Sequence, residues 1–157
     1  NCDWSSDVCS SDLVHIAQPL VGMARATGYD VTVIDPRPAF AAAARFPGQA
    51  ILEDYPDEVM PGLGLDARTA VVTLTHDTKI DDPAIREALG SDVFYLGCLG
   101  SRRTHAKRLE RLMAAGYSDA AIARIHAPVG LAIGARSPAE IAISIMAEIT
   151  RVLRQGV

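Results

Sequence analysis

The chain has 157 residues, of which 49% are hydrophobic, and a formal net charge of -4 at neutral pH. This length and composition suit one domain with a sizeable core, and the charge gives no indication of nucleic-acid binding. No run of the sequence approaches the ~18 apolar residues of a membrane span.

The first 13 residues, NCDWSSDVCSSDL, differ in composition from the rest of the chain. They are rich in Ser and Asp, contain the single tryptophan and show no apolar period, and residues 7–13 look like a translated sequencing adaptor. We therefore interpret residues 1–13 as a non-native segment, although a natural disordered tail is an alternative. Residues 14–157 are expected to form one domain.

The cysteine that remains outside this segment is Cys98, which lies in an apolar run. One cysteine in a predicted strand makes neither a disulfide framework nor a zinc set, and this is typical of a protein from the reducing cytoplasm. A redox or ligand thiol is the alternative, but a buried strand cysteine is the commoner case.

The first half of the chain alternates strand and helix patterns. Residues 14–16 are predicted to be the remnant of a first strand with its turn, and residues 17–27 a helix that ends before a glycine. Residues 30–35, DVTVID, form a β-branched strand. A short alanine-rich helix is predicted at residues 39–45, and a brief strand at residues 50–52.

The alternation continues through the second half. Residues 57–66 are predicted to be a loop or a broken helix, whereas residues 69–75, TAVVTLT, have the composition of a strand covered on both faces. Asp82 and Pro83 are predicted to begin a helix that runs to Leu89. Residues 93–99 form the next strand, and the helix after it extends to about residue 115.

The last part of the chain is predicted to be mainly helical. A short helix at residues 118–125 and a loop at residues 126–136 precede a final helix at residues 138–154. Ser137 and Glu140 form a capping box at its start, and an apolar stripe at fourfold spacing comprises Ile141, Ile145 and Ile149.

This order of elements predicts an α/β fold, because parallel strands need crossovers and the crossover helices cover both faces of the sheet. Ligands of such sheets bind beyond the carboxyl ends of the strands. The chemically suggestive residues are predicted to lie there, namely His15, Asp35, residues 75–77 and residues 97–104.

A candidate anion site follows the strand at residues 93–99. Its glycines permit close backbone approach, a hydroxyl side chain can cap the helix, and the free N–H groups of a helix start suit a phosphate. Two adjacent arginines add planar charged groups, although a solvated basic helix is the simpler alternative. The candidate residues are Gly97, Gly100, Ser101, Arg102, Arg103 and Thr104.

Asp35 ends the second predicted strand, where a dinucleotide-binding fold places a carboxylate on the ribose hydroxyls. Arg37, two residues later, could instead bind a 2′-phosphate. Asp35 could equally well do no more than cap the turn before Pro36. The glycine fingerprint that would decide between these alternatives should precede His15, where the adaptor-like segment stands.

Thr75, His76 and Asp77 follow the clearest strand, and we expect them to contact a ligand. A neutral-range pKa would suit His76 for proton transfer, but neighbours on an extended chain point opposite ways, so His76 and Asp77 are not a dyad by spacing. We therefore assign no catalytic residue. His105 and His126 show no metal-ligand spacing with Cys98, and no metal site is predicted.

Three segments, FYLGCLGSRRTHAKRLERL, IHAPVGLAIGARSPAEIAISIMAEI and THDTKIDDPAI, resemble the C-terminal Rossmann-type domain of the XdhC/CoxI family. The resemblance covers nearly all of residues 14–154, and it places His15 at a matching position. Two features of many members are not found here: the first strand with its glycine turn is replaced, and the separate N-terminal domain with its cysteine motif is absent.

The resemblance implies an accessory factor of xanthine dehydrogenase and related molybdenum hydroxylases. Such a factor binds molybdenum cofactor (molybdopterin), assists its sulfuration by a partner cysteine desulfurase and delivers it to the apo-enzyme. The cofactor's phosphate would lie at the candidate anion site, and Thr75, His76, Asp77 and residues of the loop at 126–135 would line the rest. Those loop residues are His126, Pro128, Gly130 and Gly134.

Two other functions remain open at this point. One is an oxidoreductase that binds NAD or NADP at Asp35 or Arg37, and the other is a nucleotide-regulated protein-interaction module. The sequence also leaves open whether the chain forms a homodimer.

Overall fold

A computed structural model of the chain describes residues 11–38 and 46–157. In these two ranges the strands form two parallel sheets. The first pairs β1 (Thr32–Ile34) with β2 (Ala50–Leu52). The second has the order β3 (Ala70–Thr73), β4 (Tyr95–Cys98) and β5 (Ile125–His126).

Helices connect these strands and cover both faces of the second sheet. They are α1 (Ser11–Ala26), α2 (Pro56–Val59) with a 3₁₀ turn (Met60–Leu63), α3 (Thr78–Leu89), α4 (Arg102–Ala114), α5 (Asp119–Ile122) and α6 (Pro138–Gln155). Helices α1 and α6 pack on the face that carries Val72, Leu74 and Tyr95. Helices α3, α4 and α5 pack on the face of Leu96 and Cys98, so the predicted α/β architecture with helices on both faces is confirmed.

The interior between α1 and α6 is apolar. Ile16 and Leu20, one turn apart on α1, are buried together with the predicted stripe of α6, Ile141, Ile145 and Ile149. Burying a side chain of this size stabilises a fold by about 1.5–3 kcal/mol. The capping box at the start of α6 is also confirmed, since Ser137 accepts from the N–H of Glu140, and Glu140 accepts from that of Ser137.

The prediction for the start of the chain was wrong. Residues 14–16 are not a strand, because α1 already begins at Ser11 and contains Pro19 in its interior. The short apolar run also fits helical spacing, and packing of Ile16 and Leu20 against α6 favours the helix over a local strand. The helix predicted at residues 39–45 lies outside the described residues.

The predicted start of α3 at Asp82 was wrong as well. Asp77 is the N-cap, because its carboxylate accepts from the N–H of Lys79 at 2.9 Å. Asp82 therefore lies inside the helix, where it forms an ion pair with Arg111 at 2.8 Å. This pair links α3 to α4. Pro83 is accommodated early in the helix, where it removes one backbone donor.

Candidate functional site

The turn between β4 and α4 comprises residues 99–104, and α4 begins in it as the sequence predicted. Ser101 is the N-cap, and its Oγ accepts from the N–H of Thr104 at 3.1 Å. Gly100 has a φ of +140°, which favours glycine. A Cβ on Gly97 would lie 2.5 Å from Val129 Cγ2, so this position also requires glycine. We call residues 99–104 the α4 turn.

A buried cation that the sequence analysis did not single out, Arg108, contacts the α4 turn. Arg102 and Arg103 are exposed, whereas Arg108 is only 3% exposed. Its Nη2 donates to the carbonyl of Leu99 at 3.2 Å, and its Nη1 lies 3.3 Å from His105 Nδ1. The spacing of Arg108 and Leu112 on the buried face of α4 was the available signal.

Arg108 is a buried charge without a close counter-ion. No carboxylate of the described residues lies within ion-pair distance of it, and its Nε is buried without a hydrogen-bond partner among those residues. Burial lowers the pKa of His76 and of His105, and the charge of Arg108 lowers both further. An anion bound at the α4 turn would compensate this charge.

Asp81 is a second functional candidate that the sequence did not reveal. It is 4% exposed, and it accepts a hydrogen bond from Thr75 Oγ1 at 2.6 Å. Burial raises the pKa of Asp81 to about 7, although the Thr75 hydrogen bond and the charge of Arg108 act in the opposite direction. The true start of α3 at Thr78 places Asp81 on the inner side of its first turn.

Asp35 and Arg37 form an ion pair with three hydrogen bonds. Arg37 Nε donates to Asp35 Oδ1 at 2.9 Å, and Arg37 Nη2 donates to Oδ2 at 2.8 Å. The backbone N–H of Arg37 also donates to Oδ1 at 2.9 Å. Both carboxylate oxygens are therefore engaged, and the geometry does not favour Asp35 as an acceptor for ribose hydroxyls.

These polar groups meet at one end of a cavity of about 800 Å³ between β1 and β3. Asp35 and Arg37 follow β1, and Thr75 and Asp81 follow β3, so all four lie at the carboxyl ends of the strands, as predicted for Asp35 and Thr75. The hydrogen bond to Asp35 raises the pKa of Arg37, and the charges of Asp77 and Asp81 raise it further. We call this group the carboxyl edge.

A separate cluster of polar residues connects the loop after β5 to α6 through hydrogen bonds. Glu148, 6% exposed, accepts from Tyr95 Oη at 2.6 Å and from the N–H of Gly130 at 3.1 Å. His126 Nδ1 lies 3.8 Å from the same carboxylate, and its ring stacks on Tyr95 with centroids 4.8 Å apart. Burial raises the pKa of Tyr95, and the bond to Glu148 raises it further, so the phenol stays protonated. We call these residues the Glu148 cluster.

We expect Tyr95→Phe to lower the free energy of unfolding by about 1–3 kcal/mol, because it removes the shortest hydrogen bond of the buried Glu148 carboxylate. Urea denaturation of the two proteins measures this difference. Tyr55→Phe is the matched control, since Tyr55 is exposed. Equal losses from both substitutions would contradict the assigned role of the Glu148 cluster.

The remaining candidates from the sequence are dispersed. His15 is exposed on α1 and does not line the cavity, and His76, which follows β3, is only partly buried and does not line it either. Asp77 serves as the α3 cap. Pro128 follows a cis peptide bond, and Gly134 lies exposed in the same loop.

The described ranges contain no cluster of metal-ligating side chains. No three His, Cys, Asp or Glu side chains of residues 11–38 and 46–157 converge as a metal site. Cys98 is fully buried, and burial raises the pKa of its thiol to about 11, which fits the predicted strand cysteine. Within these ranges, no helix combines the length and apolarity needed to traverse a bilayer.

Parallel strands covered by helices on both faces, with polar side chains beyond their carboxyl ends, define a Rossmann-like domain. Residues 12–149 match the family model described as the XdhC Rossmann domain. The chain belongs to this family, as its sequence motifs predicted.

Two curated relatives and one solved structure support this assignment. The chain is 36% identical over 136 residues to the molybdenum cofactor insertion chaperone PaoD of Escherichia coli, covering 87% of this chain and 36% of that protein. It is 33% identical over 132 residues to a probable xanthine dehydrogenase subunit of Bacillus subtilis, covering 83% and 38%. A crystal structure described as a xanthine dehydrogenase from Bacillus halodurans superposes with a TM-score of 0.75 at 30% identity, covering 90% of this chain and 40% of that one. The chain thus spans less than half the length of these proteins.

Proposed function

We propose that this domain is the cofactor-holding part of an accessory factor for molybdenum hydroxylases. It binds molybdenum cofactor and delivers it to an apo-enzyme of the xanthine dehydrogenase type. The observation that carries the proposal is the α4 turn with the buried, uncompensated charge of Arg108 beneath it. The family assignment and the name of the Escherichia coli relative supply the choice of ligand.

The chemistry of the α4 turn suits the phosphate end of the cofactor, which is a pterin with a terminal phosphate. The first-turn N–H groups of α4 point to the place where an anion would lie. Arg102 and Arg103 are exposed at the same turn and can close over a phosphate. When bound, the molybdenum group supplies the redox chemistry of the acceptor enzyme, and the residues of this chain hold and orient its carrier.

The α4 turn and the carboxyl edge both lie at the carboxyl ends of the strands. Asp81 interacts with both groups. Its carboxyl group feels the positive charge of Arg108 on α4, and Asp81 Oδ1 accepts a hydrogen bond from Thr75 at the carboxyl edge. Since burial raises the pKa of Asp81 to about 7, much of it is protonated near neutral pH, and the charge of Arg108 stays available to an anion. Thr75 and the loop after β5 would line the space for the pterin.

Sulfuration of the cofactor requires a sulfur donor from outside the described part of the chain. Cys98 is fully buried with a raised thiol pKa, so it suits a core position better than a sulfur carrier. We propose that a cysteine desulfurase partner supplies the sulfur while this domain holds the cofactor. Self-association into a homodimer is compatible with this role.

The test is retention of pterin by the protein purified from a host that makes molybdenum cofactor. We expect Arg102→Ala with Arg103→Ala to reduce the pterin that copurifies by about tenfold or more, because charged hydrogen bonds to a phosphate contribute about 1.5–3 kcal/mol. Released pterin is quantified by the fluorescence of its oxidised form.

Arg86→Ala with Arg154→Ala is the matched control, because it removes two exposed charges that lie in the last turns of α3 and α6 and not at the α4 turn. Equal pterin in the double arginine variant and in the unchanged protein would refute the placement of the phosphate. Copurification of NAD or NADP without pterin would refute the cofactor role itself. It would favour an oxidoreductase or a nucleotide-regulated module on the same fold.

A further inference from the structure

Two ionisable side chains of opposite sign are buried close to the α4 turn without forming an ion pair. Arg108 of α4 is 3% exposed, and Asp81 of α3 is 4% exposed. The ion pair between Asp82 and Arg111 joins the two helices one residue after Asp81 and about one turn after Arg108. Both buried groups therefore lie on the N-terminal side of this contact, towards the α4 turn.

The guanidinium group of Arg108 lies against the α4 turn itself. Its Nη2 donates to the carbonyl of Leu99, and a Cβ added to Gly100 would lie 3.8 Å from the same nitrogen. Its Nε is buried and has no hydrogen-bond partner among the described residues. A buried charge with an unused donor is costly. The turn thus attracts an anion for two independent reasons, the first-turn N–H groups of α4 and Arg108.

Asp81 has hydrogen-bond partners for both of its protonation states. When the carboxyl group is ionised, its Oδ1 accepts from Thr75 Oγ1 at 2.6 Å. When it is protonated, it can donate to Thr75 Oγ1 instead. The hydroxyl proton of Thr75 is then donated to the carbonyl of Asp77, which lies at 3.3 Å. Asp81 can therefore gain or lose a proton inside the folded protein without losing this contact.

The surroundings of Asp81 make its charge depend on that of Arg108. Burial raises the pKa of Asp81 to about 7, although the hydrogen bond from Thr75 and the charge of Arg108 act in the opposite direction. The other titratable or charged groups that interact with Asp81 come from α3, β4 and the segment after β1, and they are Asp82, Cys98 and Arg37. The carboxylate and the guanidinium among these three have ion-pair partners of their own, and burial keeps the thiol neutral. Among these described groups, Arg108 is thus the cation without an ion-pair partner.

We infer that an anion at the α4 turn and the negative charge of an ionised Asp81 compete for Arg108, so that the site binds its anion together with a proton on Asp81. An anion that compensates Arg108 removes the attraction that favours the ionised carboxyl group, which then takes up a proton from the solvent. By reciprocity, loss of this proton weakens the binding of the anion. The site holds a phosphate while Asp81 is neutral and releases it when Asp81 ionises. This inference rests on the anion site of the proposed function and adds how its ligand is released.

The probe for the test is inorganic sulfate, because it remains a dianion over the whole pH range used. Isothermal titration calorimetry at pH 7, in two buffers that differ in ionisation enthalpy, gives the number of protons taken up per sulfate bound. We expect about half a proton for the unchanged protein, because Asp81 titrates near this pH, and none for Asp81→Asn. Between pH 6.5 and pH 8.5 the sulfate affinity of the unchanged protein should fall by about tenfold, whereas that of Asp81→Asn should stay constant.

His105→Gln is the control for a second titrating group at the site. His105 Nδ1 lies 3.3 Å from Arg108 Nη1, and both burial and the charge of Arg108 lower the pKa of His105. We expect the proton uptake to persist in this variant. Sulfate binding without proton uptake, equal uptake by Asp81→Asn, or loss of the uptake in His105→Gln would overturn the inference. Absence of sulfate binding to the unchanged protein would overturn it as well.

These results are separable from the test of the proposed function, because sulfate contains no pterin. Proton uptake with sulfate, together with a protein that retains no pterin, would support the inference and refute the cofactor role. Retention of pterin by a protein that binds sulfate without proton uptake would support the cofactor role and overturn the inference.

Discussion

Asp81→Asn is expected to stabilise the protein at pH 8 and to leave its stability unchanged at pH 4. Burial raises the pKa of Asp81 from 3.8 to about 7, so the folded state holds its proton over a range in which the unfolded chain has lost it. The stability that comes from this group is complete below about pH 4 and is lost as the pH rises to about 7. The difference between these two pKa values corresponds to about 4 kcal/mol at most.

Urea denaturation of both proteins between pH 4 and pH 8 measures this effect. Asparagine keeps a partner for Thr75 Oγ1, so the substitution removes the titration and not the contact. Asp82→Asn is the matched control on the neighbouring residue, and it should destabilise the protein at pH 8 because it breaks the ion pair with Arg111. A difference between wild type and Asp81→Asn that does not vary with pH would contradict the assignment.

The protonation of Asp81 also bears on anion binding. A neutral Asp81 removes one negative charge from the surroundings of Arg108, which has no ion-pair partner among the described residues, so a phosphate at the α4 turn is attracted more strongly. We therefore expect Asp81→Asn to retain pterin, in contrast to the arginine double variant. Asp81→Asn would thus change the stability of the protein without loss of pterin binding.

Sequence periodicity predicted the elements that are long or have clear caps. The stripe of α6 and its capping box identified the final helix, and the run at residues 69–75 identified β3. At the start of α4 the sequence offered Ser101 or Thr104 as the cap, and the structure has Ser101 there. These features depend on local spacing, which the sequence contains in full.

The errors arose where tertiary packing overrides local preference. The run at residues 14–16 suits a strand or a helix, and contact with α6 decides for α1. Asp77 and Asp82 are both acceptable N-cap residues for α3, and in the structure the N-cap is Asp77. Asp81 was missed as a consequence of that error.

Arg108 was missed because burial of a charge cannot be recognised from charge alone. Among the basic residues of α4, it shares the inner face with Leu112, whereas Arg102, Arg103 and Lys107 are exposed. The pairing of Asp35 with Arg37 was also not predicted, since a carboxylate at a strand end fits several roles. Side-chain partners of this kind depend on the folded geometry.

Gly130→Ala is expected to lower the free energy of unfolding by about 3 kcal/mol or more. The residue has a φ of +93°, and an added Cβ would collide with Ser144 Oγ and approach the main-chain carbon of Ser144 to 3.2 Å. The backbone of buried α6 cannot yield easily, so the clash adds to the cost of the positive φ. Urea denaturation measures the loss.

Gly134→Ala separates these two costs within the same loop. Gly134 has a φ of +78°, but an added Cβ would meet nothing within 4 Å, so only the positive φ is penalised and we expect a loss of about 1 kcal/mol. The difference between the variants measures the close approach of the loop to α6, which the N–H of Gly130 reinforces by donating to Glu148 at 3.1 Å. Equal losses would mean that the loop moves freely away from α6. In that case the Glu148 cluster could not hold residues 126–136 in place beside a bound pterin.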